Sequence, residues 1–118
     1  MRKSAPPNDT LTLRFNVIVE GQPEGTYVAH CLELDLIAEG STPDEACSEI
    51  TNVIDVHVRT CIQNDNFENL FFPAPKEVWD RLGAIQARTS QCTHETVRRN
   101  ILDDRHGRSV EVDQYCYA

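Results

Sequence analysis

The stretch YVAHCLELDLIAEGSTPDEA, residues 27–46, decides how this chain folds. Its last five residues, Thr42-Pro43-Asp44-Glu45-Ala46, spell a helix start. A threonine followed three residues later by glutamate is a capping box: the Thr42 hydroxyl accepts from the Glu45 N–H, and the Glu45 carboxylate reaches back to the Thr42 N–H. Pro43 falls at the first helical position, where its missing donor costs nothing. Asp44 and Glu45 face the positive end of the helix dipole. From this cap the pattern predicts a helix to about Asn64, because Ala46, Ile50, Val53, Ile54, His57, Cys61 and Ile62 recur at three- and four-residue steps. His57 lies within that stripe and reads as a packed, hydrogen-bonded core histidine.

Upstream of the cap the period changes to two. Leu11, Leu13, Phe15, Val17 and Val19 alternate with Thr12, Arg14, Asn16, Ile18 and Glu20, which predicts a strand over Thr10 to Glu20. Gly21-Gln22-Pro23-Glu24-Gly25 breaks it, and Thr26 to Glu33 forms the second strand of an antiparallel hairpin. Leu34 to Glu39 supplies a third strand, ended by Gly40-Ser41. On regular strands Glu33, Asp35 and Glu39 share a parity and line one face.

Downstream the signals weaken. Leu70-Phe71-Phe72 supplies a fourth strand or a loop plug. Pro73-Ala74-Pro75 then separates it from a helix over Lys76 to about Arg88, with Val78, Trp79, Leu82 and Ile85 on a narrow apolar face. Thr93 to Arg105 reads as a short helix stopped by Gly107, and Ser109 to Tyr117 as a terminal strand. The fold class expected is α+β: a small antiparallel β-β-β-α-β sheet with one long packed helix, followed by a helical and strand extension. The organisation expected is a flexible N-terminus over 1–9, an α/β domain over 10–75 and an extension over 76–118.

Apolar residues make up 40% of the chain and charged residues 25%, a globular balance. No run approaches the roughly 20 apolar residues that span a bilayer. Met1-Arg2-Lys3-Ser4-Ala5-Pro6-Pro7 has no apolar stretch behind its basic pair, so it does not read as a signal peptide. The expected setting is the cytoplasm, with Cys31, Cys47, Cys61, Cys92 and Cys116 as reduced thiols. Charge is uneven. Up to Pro75 there are four Lys or Arg against twelve Asp or Glu, and from Lys76 onward seven of each, so the whole net charge of −8 lies in the first part. An acidic domain repels nucleic acid and anionic membrane and steers basic partners toward itself.

Catalytic patterns are missing. The chain has no glycine-rich phosphate loop, no GxSxG elbow and no HExxH. Cys92, His94, His106 and Cys116 are too widely spaced for a zinc site, in which ligands come in close pairs. Glu33, Asp35 and Glu39 could hold magnesium for phosphoryl chemistry, but no basic residue near them holds a phosphate. They read instead as a partner-facing acidic face. Arg98, Arg99, Arg105 and Arg108 are balanced by Glu95, Asp103 and Asp104, which argues against DNA binding.

The block Tyr27-Val28-Ala29-His30-Cys31-Leu32-Glu33-Leu34-Asp35, followed by Glu39-Gly40-Ser41-Thr42-Pro43-Asp44-Glu45-Ala46, resembles the HicB-like antitoxins. Order and spacing run from Leu11 to about Ile62, although Leu32 stands where proline is common in that family. The resemblance implies a partial ribonuclease-H-like fold without nuclease activity or cofactor. It also implies a homo-oligomer, dimeric or higher, that masks a small basic HicA-like toxin directed at RNA. Residues from Val78 onward resemble neither DNA-binding module found in such proteins. The contact residues expected are Glu20, Glu33, Asp35 and Glu39. The alternative is a stand-alone oligomeric module of this fold with no toxin and no DNA-binding role.

Overall fold

In the computed structural model, residues 10–88, 94–104 and 106–117 are described, the side chains of His94 and Glu95 excepted. The expected flexible N-terminus, Cys92 and Arg105 lie outside them. The class is α+β, with five strands and two α-helices among the described residues. The strands are β1 (Thr10–Gly21), β2 (Tyr27–Cys31), β3 (Leu36–Gly40), β4 (His94–Asp103) and β5 (Arg108–Tyr117). The helices are α1 (Pro43–Gln63) and α2 (Lys76–Ala87). The sheet order is β3-β2-β1-β5-β4, and only the β1–β5 pair is parallel.

The alternation of β1 explains the layers. Leu13, Phe15, Val17 and Val19 point into the larger core, where they meet Ala46, Ile50, Ile54, Val58, Cys61 and Ile62 of α1. Ile18 points the other way and joins Leu32, Ala74, Val78, Leu82 and Ile85 beneath α2. Each sheet face thus buries its apolar residues against one helix. The Thr42 hydroxyl accepts from the Glu45 N–H at 3.0 Å, as a cap requires. The Glu45 carboxylate, however, takes the N–H of Ser41 rather than that of Thr42. Gly40 lies so close to the first turn of α1 that an added Cβ would stand 2.4 Å from the Ala46 nitrogen. Only glycine fits there.

Four expectations need correction. The second strand ends at Cys31 and the third begins at Leu36, because Leu32 to Asp35 form a turn in which Asp35 takes a positive φ of 53°. The turn escapes notice because its leucines are buried, Leu32 under α2 and Leu34 under α1. Of the two readings of Leu70-Phe71-Phe72, the strand fails and the loop plug holds: a 3-10 turn at Phe67–Asn69 leads into an extended strap with Leu70 plugged into the core. The strap bonds to the turn through Phe72 N–H to Glu33 C=O and Ala74 N–H to Leu32 C=O. The predicted helix over 93–105 is strand β4, with Gly107 (φ +61°) in the hairpin turn that follows. Finally, residues 76–118 are not an appendage to the sheet, since β5 pairs with β1 over Thr10 to Ile18.

Candidate partner-binding surface

The four expected contact residues meet different fates. Glu33, on the β2–β3 turn, accepts from the Asn16 backbone N–H and the Asn16 side-chain amide, each at 2.7 Å. Its carboxyl is pushed above the usual range because burial outweighs those two bonds. The Asp35 carboxylate lies 2.7 Å from the His30 ring nitrogen. Glu20 reaches Arg81 of α2 at 3.4 Å. Glu39 is exposed on β3. The register pairs Glu20 with Val28 and Val28 with Glu39, so Glu20 and Glu39 stand in one row on one face, two strand spacings apart, roughly 10 Å. The expected face of Glu33, Asp35 and Glu39 does not form. The turn takes Glu33 and Asp35 off the strands and binds them internally.

An acidic surface exists nonetheless, at another place. Between Arg14 and Arg59 the chain holds nine Asp or Glu and no Lys or Arg. Glu24 lies in the β1–β2 turn, Glu39 on β3, and Asp44, Glu45 and Glu49 in the opening turns of α1, all exposed. The row Gly21–Tyr27–Gly40 and the start of α1 bring these elements to one end of the molecule. Among the described ion pairs, cations reach this stretch only at Glu20, from Arg81, and at Asp55, from Arg99.

Two shallow grooves flank that end. One, about 340 Å³, runs between α1 and β4 and is lined by Asp44, Cys47, Ser48, Thr51, Asn52 and Val97. Close by, a polar chain crosses from β4 to α1: Arg99 donates to Asp55 and Gln114, and Gln114 donates to Thr51. The other, also about 340 Å³, lies beside Glu20, Arg81, Ile85 and Arg88. Cys31 is buried, and burial, with the charge of Glu33 adding to it, pushes its thiol up to about 12, which makes it inert. His57 bonds the Leu70 carbonyl at 2.8 Å, the half-buried structural role expected of it.

Among the described residues no three His, Cys, Asp or Glu side chains are arranged to hold a metal. His106 sits in the β4–β5 turn against Asp103 and Asp65, while Cys116 is buried toward the far end of β5. The described tail arginines are spent on partners: Arg98 on Asp113, Arg99 on Asp55 and Arg108 on Asp103. No described helix is long and apolar enough to cross a membrane.

Sequence reading missed the Asn16–Glu33 clamp, the His30–Asp35 pair and the Arg99 network. The only signal for the first two was a glutamate and an aspartate set among buried leucines, where charge needs a partner. Compared with protein-family models, with curated proteins and with solved structures, the chain matches none of them.

Proposed function

We propose that this chain is a HicB-like, antitoxin-type binding protein that masks a small basic RNA-targeting toxin with an acidic surface and catalyses no reaction of its own. The observation that carries this reading is the arrangement of its first 63 residues. Three antiparallel strands lead into a capped helix, β5 lies parallel beside β1, and all nine acids of the cation-free stretch belong to that unit. Such a strand order is compatible with a partial ribonuclease-H-like fold. Complementary potential speeds association with a basic partner and selects it. Of the expected contact residues, Glu39 and Glu20 remain on the surface, whereas Glu33 and Asp35 hold the turn. Among the described tail arginines, Arg98, Arg99 and Arg108 are already paired with carboxylates, which disfavours their use on a DNA backbone. The setting proposed is the cytoplasm.

The test is a search of the neighbouring genes for a small basic protein, followed by its co-expression with this chain, affinity capture and a growth assay; no such neighbour and no small basic protein captured would count against the reading. Capture together with relief of toxicity supports the reading. Failure of capture with toxicity undiminished overturns it. A second reading, a homo-oligomeric module without a toxin, is favoured by Phe71 and Phe72, which are 50% and 70% exposed on the strap. Light scattering on the chain alone tests it, and a strict monomer overturns it.

A further inference from the structure

We infer that the outer edge of β3 receives a basic, extended segment of the partner by strand addition. The inference rests on the reading above for the source of that segment and adds its chemistry and its mode of docking. β3 is a terminal strand of the sheet, and among the described residues no strand lies beyond it. Alternate residues of Leu36–Gly40 therefore direct N–H and C=O groups outward, a template that an extended chain can complete. Ile37 is 57% exposed, while the ring of its cross-strand partner His30 is held by Asp35. An apolar side chain on an open edge is what a docking strand would bury.

Charge selects the occupant. Glu39 flanks Ile37 on the same strand face, and Asp44, Glu45 and Glu49 stand exposed on the helix that starts beside the end of β3. No Lys or Arg of residues 15–58 relieves them. A second copy of this chain would bring acid against acid, a juxtaposition that costs affinity. The opposite edge differs: β4 carries Arg98, 62% exposed, and Arg99. A basic strand is therefore drawn to β3, whereas β4, whose arginines are already paired with carboxylates, offers it no such attraction. Along the incoming segment, side chains on the Ile37–Glu39 face should alternate with those facing α1, placing an apolar residue beside Ile37 and a Lys or Arg beside Glu39.

Two probes test this. The first is a nine-residue peptide in which valine and lysine take turns at every second position with threonine between them (Val-Thr-Lys-Thr-Val-Thr-Lys-Thr-Val), so that one face offers both a valine to Ile37 and a lysine to Glu39, compared with the same peptide carrying glutamate for lysine. On the intact chain, amide hydrogen exchange should slow at Leu36–Gly40 with the lysine peptide and not with the glutamate peptide. The double variant Ile37→Lys, Glu39→Lys changes only exposed positions and should weaken binding by about tenfold or more, given the like charges it opposes. Protection that falls on β4 instead overturns the inference. So does protection of β3 that grows with protein concentration in the absence of peptide, since a second copy then holds the edge. The second probe is any small basic protein that a search of the adjacent genes yields. If it is captured equally by the wild type and the double variant, strand addition fails while the antitoxin reading stands. If it is not captured, yet the lysine peptide protects β3, the edge inference stands and the antitoxin reading fails.

Discussion

The unit from β1 to α1 and the β4–β5 hairpin share one sheet but handle charge in opposite ways. In the first, most carboxylates face solvent and the interior is built of aliphatic and aromatic side chains. In the hairpin the polar groups turn inward: Asp103 and Gln114 are 0% exposed and Asp113 is 4% exposed, each bonded to an arginine. Buried charge survives only where it is paired and hydrogen-bonded. The comparison shows one sheet with an end left negative and an end neutralised from within.

Asp103→Ala should produce the largest loss. It removes the acceptor of Arg108 (2.9 Å), the His106 ring (3.0 Å) and the His106 N–H (3.2 Å), and leaves Arg108 partly buried without its partner. Breaking such a pair costs about 3 kcal/mol, measurable by urea unfolding. A loss no greater than that of an exposed site would erase the contrast between the two regions. In the other unit, Gly40→Ala forces a Cβ against the α1 backbone and should cost about 2 kcal/mol. Thr42→Ala removes only the cap and should cost about 1 kcal/mol.

The legibility of the sequence divides along the same line. Over β1, β2 and α1 the apolar pattern keeps its period and is broken by Gly, Pro or a capping threonine, so the elements can be read to within a few residues. In β4 the inward positions are Val97, Arg99, Ile101 and Asp103. Two of the four are charged, so a period of two looks like none, and Val97, Ile101 and Leu102 then imitate a helical stripe. The β2–β3 turn fails for the converse reason, since its two leucines extend the strand pattern through a bend. The expected site inherits that error: Glu33 and Asp35 share a parity with Glu39 in sequence but leave the strand in space. Glu20 and Glu39 could be placed on one face only once the register was known.

Two buried carboxyls should give pH effects of opposite sign. At Asp103, burial pushes the carboxyl up, but hydrogen bonds from Arg108 and His106 outweigh it and hold the group below its usual value. Its contribution to stability is therefore present above roughly pH 4, the unfolded value, and lost as pH falls through the lower folded value. Glu33 lies above its usual value because of burial. Its contribution is complete below roughly pH 4, and is lost as pH rises through the raised folded value. Unfolding curves between acid and neutral pH should lose the first dependence in Asp103→Asn and the second in Glu33→Gln. The same sign in both variants would contradict the assignment. The smallest effect concerns Cys31, whose thiol at about 12 should resist alkylation at neutral pH until the chain unfolds.

The most direct test of the proposed masking role is RNA cleavage by a purified small basic protein, taken from the adjacent genes or captured with this chain, titrated with this chain at low and high salt. Cleavage should stop near stoichiometric addition at low salt and return as salt screens the acidic end. Undiminished cleavage at several-fold molar excess and low salt would contradict it.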